Sequence, residues 1–383
     1  MRKIGIVSEY FYPHLGGITE HVNFFSRELA RRGFEVVILT GYEGEEPNID
    51  LPANVRLVHL GKTLPIYSND SFAKITFGWN LGRRVKEVLA REKFDLLHIH
   101  SPVMPTLPLL FQKYTDTITV GTLHTFFDSI DSVFFYRLFR QFVQQYLNKL
   151  DGIIAVGPAC IESMSQFYQF DYTVIPNGVD TEWFSRSAEK IERFSEAAPT
   201  ILFLGRLDPR NGLTALLDAF PAVIQKIPQA RLVVVGDGPM RPYYENHSGH
   251  LLNHNIFFEG QIDGSRPAYY AACDVFCFPA TKAAFSITIL EAMSAGKPIV
   301  TSDNPGFRDA IEHGVSGMLV KVGDIQALAE ALIRILTDKD FATRLSQNAM
   351  KKVQNYSWSR ITDRVLDYYN QISLKKRGVP FAS

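Results

Sequence analysis

The 383-residue chain carries 40 Lys+Arg against 40 Asp+Glu, and 46% of its residues are hydrophobic. That length exceeds one ordinary domain and supplies enough apolar residues for two buried cores of about 150 to 200 residues each. Balanced charge excludes a nucleic-acid-binding polycation, Cys160, Cys273 and Cys277 are too few for a disulfide framework, and no apolar run of about 18 residues exists to span a membrane. MRKIGIVSEY enters a strand directly instead of through the apolar run of a secretory signal, so the expected setting is a reducing cytosol.

Lys3 to Val7 reads as a strand buried on both faces of a parallel sheet. A loop with Gly16-Gly17 follows, then a helix with Ile18, Val22, Phe25 and Leu29 on one stripe that stops at Gly33. Glu35 to Thr40 completes a βαβ start. Gly16-Gly17 lets backbone approach a phosphate; the plainer reading is a tight connection, because the G-x-G-x-x-G spacing is absent. Tyr42 to Asp50 and Pro65 to Asp70 read as loop around a strand at Val55 to Leu60. The spacing predicts a helix over Phe77 to Lys93, with Leu81, Val85, Val88 and Leu89 buried and Arg83, Glu87 and Arg91 as an i, i+4 ladder. Arg83, Arg84 and Lys86 are either a solvated face or a basic patch for anionic lipid.

Phe94 to Pro102 and Thr117 to Thr125 are strands ending in histidine, and strand C-termini line the ligand crevice of open α/β sheets. His124, at the very end of its strand, is the candidate; His98 and His100 read as packed strand residues. FFYRLFRQFVQQYLNKL is an aromatic amphipathic helix, either core-packed or interfacial. GIIAVGP and YTVIPNGVD bring the first domain to the Pro176-Asn177-Gly178 turn. After a helical-looking Ser185 to Ala198, six apolar runs alternate with helices near Leu213 to Gln225, Tyr243 to Leu252, Ser265 to Ala272, Ser286 to Ala295 and Phe307 to Glu312. This is a second parallel α/β sheet. Asp324 to Asn355 reads as helical, and Trp358 to Ile372 as a last amphipathic helix. Within Pro279 to Asn304, the helix entered at Ser286 points free N–H groups and a positive dipole end outward, with Lys282 and Glu291 flanking that point. An anion that also carries hydroxyls, such as a nucleotide diphosphate sugar, suits it.

Phe285, Leu290, Glu291, Ala292 and Met293, followed by Gly296, Pro298 and Ile299, resemble the Glu-x-Phe-Gly-x-x-x-Leu-Glu-Ala-Met pattern of the family 4 retaining glycosyltransferases. GGITEHV, LHIHSP, IPNGVD and FLGRL stand in that family's order. LPIYSNDSFAKITFG, the basic helix after it and LHTFFD are similar to the acceptor side of phosphatidylinositol α-mannosyltransferases. The resemblance implies an α/β GT-B fold, two Rossmann-like parallel-sheet domains facing a central cleft. Residues 1–180 would be the acceptor-side domain, with helix 357–373 crossing back to it, and residues 181–356 would bind the nucleotide sugar.

The same resemblance gives Gly16 and Gly17 to the diphosphate with Arg206 as its counter-charge. It adds Ser286 and Ile287 at the donor, Glu291 on the ribose hydroxyls and His124 beside the reacting sugar. Asn69 and Lys74 would approach an inositol phosphate head group, with Arg83, Arg84 and Lys86 near the bilayer. The donor expected is GDP-mannose or UDP-hexose, with no further cofactor and no metal; Asp338-Lys339-Asp340 spells a metal motif of another fold but reads as surface. The acceptor expected is a lipid or glycoside, met in the cytoplasm or peripherally on the inner membrane face. Three positions depart from the pattern: Asn211 replaces a lysine, Ala283 a glutamate and Ser286 a glycine. Arg210 and Lys282 lie beside the vacated places. Two readings follow, a retaining hexosyltransferase or a catalytically impaired GT-B protein that binds nucleotide sugar or partners an active enzyme.

Overall fold

Apolar runs without alternation must be covered on both faces, and this chain covers them with helices twice over. The computed structural model describes residues 2–14, 16–42, 44, 49–68, 71–126, 140–186, 191, 194, 198–262 and 264–382. It divides into two compact units, Met1–Gly178 with Trp358–Ser383, and Val179–Ser357.

The first unit holds strands β1 (Lys3–Val7), β2 (Glu35–Tyr42), β3 (Val55–Ser68), β4 (Ser71–Phe77), β5 (Leu96–His100), β6 (Ile118–Leu123), β7 (Gly152–Ala155) and β8 (Tyr172–Val174). They form one sheet in the order β4-β3-β2-β1-β5-β6-β7-β8, parallel except for the β3–β4 pair. Its described helices are α1 (Gly17–Arg31), α2 (Leu81–Glu92), α3 (Leu107–Tyr114), α4 (Arg140–Leu147) and α5 (Pro158–Met164), with the C-terminal helix Trp358–Arg377. Val22, Phe25 and Leu29 of the predicted stripe pack in one core with Ile361, Val365 and Tyr369 of that last helix, and Arg32 pairs with Asp363 at 2.7 Å.

The second unit holds β9 (Thr200–Leu204), β10 (Arg231–Val235), β11 (Ile256–Gly260), β12 (Val275–Phe278), β13 (Ile299–Ser302) and β14 (Met318–Val320). All are parallel, in the order β11-β10-β9-β12-β13-β14. Its helices are α6 (Thr181–Ser185), α7 (Leu213–Lys226), α8 (Arg241–His247), α9 (Arg266–Ala272), α10 (Ile287–Ser294), α11 (Ile325–Thr337) and α12 (Lys339–Val353). Counted from its own first strand the order is the doubly wound dinucleotide pattern, which places a crevice where the order reverses.

Four local expectations are corrected. Of the stretch Pro65 to Asp70, expected as loop, Pro65 to Ser68 pair instead antiparallel with β4, and Asn69 and Asp70 lie outside the described residues. Pro65 is tolerated opposite Lys74 because the Lys74 N–H turns away from it, donating to the Tyr10 hydroxyl at 3.2 Å. Phe77 therefore ends a strand, and α2 starts only at Leu81 after Asn80 in the left-handed region. Arg83 pairs with Glu87 at 2.8 Å, but Arg91 turns to Glu92 at 2.9 Å instead of completing the ladder. Phe307 to Ala310 lie in turns and Ile311 and Glu312 in irregular backbone, not in a helix. Residues 134–139 of the aromatic helix and most of residues 187–197 lie outside the described residues. Asp338 caps α12, accepting from Phe341 N at 2.9 Å.

Beneath β1 and β3, the Glu92 carboxylate is 5% exposed and takes Arg56 at 2.7 Å, Arg91 at 2.9 Å and Lys3 at 3.3 Å. Burial alone would raise its pKa; the three cations outweigh burial and hold it at about 2. A folded pKa below the unfolded one stabilises above the unfolded value and is lost as pH falls through the folded value. Glu92→Gln is expected to cost about 3 kcal/mol at pH 7, and the difference should vanish as pH falls from about 4.5 to about 2, read by chemical denaturation across pH.

Candidate active site

In the first unit the strand order reverses between β1 and β5, so residues at the C-terminal ends of β1, β5 and β6 converge. Helix α1 starts there at Gly16-Gly17 and brings His21 in after its first turn. His21 lies edge-on to His100 and to His124, each at 5.0 Å between ring centres. His21 Nδ1 meets Asn177 Oδ1 at 2.8 Å. His98 stacks on His100 at 4.6 Å and is held at both nitrogens, by Tyr369 Oη and Thr122 Oγ1, each at 2.5 Å. His100 Nδ1 meets His124 Nε2 at 2.8 Å.

Desolvation is the main reason these imidazoles resist protonation. It brings His21 to about 4, against the hydrogen bond His21 donates to Asn177 Oδ1, and His98 to about 3 with help from His21. His100 and His124 are pushed well below the usual histidine value by burial and by the neighbouring imidazoles. The cluster is neutral near pH 7, with lone pairs available. Among the described residues His21, His100 and His124 form one group that offers metal-ligand atoms, all within 4.8 Å of one another. A tetrahedral zinc site needs nitrogens about 3.3 Å apart, so such a group would have to contract and break the His100–His124 link.

Gly16 has extended backbone with φ 164°, which any residue adopts. A Cβ there would find nothing nearer than His14 Nε2 at 3.8 Å. The fold itself does not require this glycine, and the open space beside it is where a ligand can approach backbone. Glu9, beyond β1, is buried and occupied: it accepts from Thr76 and Thr106 hydroxyls and from Leu107 N at 2.9 Å, at the start of α3. Burial raises its pKa against those hydrogen bonds.

In the second unit the order reverses between β9 and β12. Arg206 follows β9 and is half-buried, with Nη2 3.1 Å from the buried Asp208 carboxylate. Asn211 does not project into the crevice as a long cation would; its amide donates to the Arg206 carbonyl at 2.7 Å and closes the turn that carries the arginine. Gly212 ends that turn at φ 79°, where a Cβ would lie 1.9 Å from the Pro279 carbonyl oxygen after β12. The Arg210 carbonyl accepts from Thr281 N at 2.8 Å and from Thr281 Oγ1 at 3.2 Å. The Arg206 turn and the entry loop of α10 are thus joined backbone to backbone. A Cβ at Gly306 would lie 2.1 Å from the Ala283 carbonyl oxygen, which fixes that loop from its other side.

Ser286 caps α10, its Oγ accepting from Ile289 N at 3.4 Å. The N–H of Ile287 is left at the helix end, where it and the dipole favour an anion. Glu291, one turn in, is buried: Arg266 reaches Oε1 at 2.9 Å and the Tyr270 hydroxyl donates to Oε2 at 2.9 Å. The structure thus brings together Gly16, Gly17 and His124 in the first unit, and Arg206, Asn211, Ala283, Ser286, Ile287 and Glu291 in the second.

Of the acceptor-side residues, Lys74 is half-buried on β4 and Asn69 lies outside the described residues. Arg84 donates to the Leu60 carbonyl at 2.7 Å and Lys86 lies over the Tyr114 ring at 4.5 Å, so the basic helix is partly anchored to its own unit. Beside the hairpin a groove of about 890 Å³ is lined by Tyr42, Lys62, Leu64, Phe77, Trp79 and Arg84, among others. Trp79 is 94% exposed. Sequence reasoning missed His21, Asn177, Arg266 and Tyr270. The last two were findable, since Arg266 and Tyr270 stand i, i+4 on one helix face.

Comparison with known proteins bears on this geometry. Residues 15–183 match the family described as Glycosyltransferase Family 4, and residues 185–352 the family described as Glycosyl transferases group 1. A phosphatidyl-myo-inositol mannosyltransferase of Mycolicibacterium smegmatis is 33% identical over 97% of this chain and 94% of its own length. An alpha-monoglucosyldiacylglycerol synthase of Streptococcus pneumoniae is 22% identical over 83% of this chain and 75% of its own. Among solved structures, sucrose-phosphate synthase from Thermosynechococcus elongatus superposes with a TM-score of 0.77 at 22% identity, covering 98% of this chain and 100% of that one. Anabaena HepE, solved with UDP and glucose, gives 0.76 at 21% identity, covering 96% of this chain and 99% of that one. Two Rossmann-like parallel-sheet units, matched over their whole length, make this chain a member of the family 4 glycosyltransferases with the GT-B fold.

Proposed function

We propose that the protein is a retaining hexosyltransferase that moves mannose or glucose from GDP-mannose or a UDP-hexose onto a lipid-linked or small glycosidic acceptor, with a phosphatidylinositol-like lipid as the acceptor to test first. The observation that carries this reading is the full-length likeness, at 33% identity, to a protein named phosphatidyl-myo-inositol mannosyltransferase. In this reading Arg206 and the N–H groups of Ser286 and Ile287 hold the donor diphosphate in the second unit, and the Gly16-Gly17 backbone is the phosphate-approach point of the first. A guanidinium has five N–H donors, more than Asp208 can take. Glu291 accepts from the ribose hydroxyls. His124 stands beside the sugar.

The bond from the anomeric carbon to the leaving phosphate breaks as the acceptor oxygen bonds on the same face, and the acceptor proton passes to a phosphate oxygen. No metal and no protein base is needed; the residues position the reactants and stabilise charge growing on phosphate. Lys74 and Asn69 meet the acceptor head group. Trp79, Phe77 and Leu64, with Lys62 and Arg84 beside them, give the acceptor-side unit an aromatic, basic face suited to a bilayer interface, consistent with a cytoplasmic protein attached peripherally.

A second reading, donor binding without turnover, rests on Ala283, where no carboxylate is available to the sugar. Losing one preorganised contact can cost about 10²–10³ in rate. The experiment is a nucleotide-sugar panel with and without phosphatidylinositol vesicles, scored for donor consumption and product anomer. Consumption of one donor, dependent on vesicles and giving the α-linked glycolipid, is expected. No consumption of any donor under either condition would remove the transferase reading. Arg266→Met removes the cation paired with the buried Glu291 carboxylate and is expected to lower stability by about 3 kcal/mol; Glu291→Gln in the same chain should recover part of it in a denaturation series.

A further inference from the structure

The His100–His124 link carries a consequence for how His124 faces its ligand. In a neutral imidazole one nitrogen donates and the other accepts, so the 2.8 Å contact between His100 Nδ1 and His124 Nε2 holds a single proton. His100 is 0% exposed, and its Nε2 has no hydrogen-bond partner. If His124 donated, His100 would have to carry its own proton on that buried Nε2, as an N–H with nowhere to go. Orphaned buried N–H groups are the rarer and costlier kind. If His100 donates, its proton sits on Nδ1 inside the link, and only a bare lone pair is left behind.

From that geometry we infer that His100 is a positioning residue: it donates Nδ1–H to His124 Nε2 and so fixes His124 as the Nδ1–H tautomer, a hydrogen-bond donor toward its ligand. This rests on the transferase reading only for what the ligand is, a hydroxyl or ring oxygen of the donor sugar. No described residue hydrogen-bonds His124 Nδ1, and the ring is half-buried at the open end of β6. The His100 ring cannot easily turn to exchange its nitrogens. His98 stacks on it within 7° of parallel, His21 meets it edge-on, and His98 is itself clamped between Tyr369 and Thr122. The low proton affinity of both rings keeps the pair neutral, so the tautomer question holds across ordinary pH. His124 then polarises or orients an oxygen; it has no lone pair free on the ligand side with which to act as a base.

Nitrogen NMR of the full chain labelled at histidine tests this, with the His124 signals assigned by their loss in His124→Asn. The expected wild-type pattern is protonated Nδ1 and unprotonated Nε2 at His124. In His100→Ala, His124 should revert to the Nε2–H form that free imidazole side chains prefer, and His100→Asn, which keeps a short donor near Nδ1, should restore Nδ1–H. In the transfer assay His100→Ala should lower kcat about tenfold with KM for the donor little changed, and His100→Asn should recover most of it. A wild-type His124 protonated at Nε2 overturns the inference, whether or not His100→Ala folds. So does an unchanged tautomer in His100→Ala. Absence of transfer in the wild type would count against the transferase reading alone, because the spectra decide the tautomer without it.

Discussion

A parallel strand covered on both faces has no place for a polar side chain except at its ends or in a fully satisfied network, because an unpaired buried polar group is costly. That constraint organises both sheets. Ile4, Ile6, Ile201 and Phe203 fill the strands, and the chemistry-bearing groups are expelled to the C-terminal rims where the strand order reverses: the Gly16-Gly17 turn and His124 in one unit, Arg206 and the α10 N-terminus in the other. His98 is the instructive exception. It sits inside β5 with no exposed surface to speak of, and it is tolerated there because Tyr369 and Thr122 satisfy both of its nitrogens.

The parallel-sheet elements were legible because their signals are local. The six strands of the second sheet follow from apolar runs bounded by glycine and proline, and α1 from a stripe that ends at Gly33, φ 83°. The β3–β4 hairpin was not, since Pro65 and a polar turn read as loop; only the orientation of the Lys74 N–H toward Tyr10 makes Pro65 acceptable there. Of the site, positions on strand ends were readable and partners across the sheet were not. Nothing local says that His21 would meet Asn177, 156 residues away, or that His98 would meet Tyr369 across 271. Glu291 stood out by its place on a helix, but its burial against Arg266 and Tyr270 depends on packing that spacing cannot report.

The departures from the family pattern take on physical meaning in the second unit. Asn211 is not merely a lysine lost. Its amide holds the carbonyl of the arginine whose charge remains, so the loop exchanges a second cation for a firmer seat under the first. The bonds from Thr281 to Arg210 and the close approach of Gly212 to Pro279 tie that seat to the loop in front of α10. Ser286, standing where the pattern has glycine, uses its hydroxyl as the cap of α10. Ala283 has no such compensation; its backbone is pinned against Gly306, and its side chain offers nothing to a sugar.

If Arg206 and the end of α10 form the diphosphate seat, binding of the nucleotide must depend on that one guanidinium more than on any other side chain. Titration calorimetry of GDP and UDP into the wild type and Arg206→Ala measures this directly. One of the two nucleotides is expected to bind, and Arg206→Ala to weaken it about 10- to 100-fold, the range for a hydrogen-bonded charge contact. Equal affinity in the variant, or no binding of either nucleotide by the wild type, would contradict that expectation.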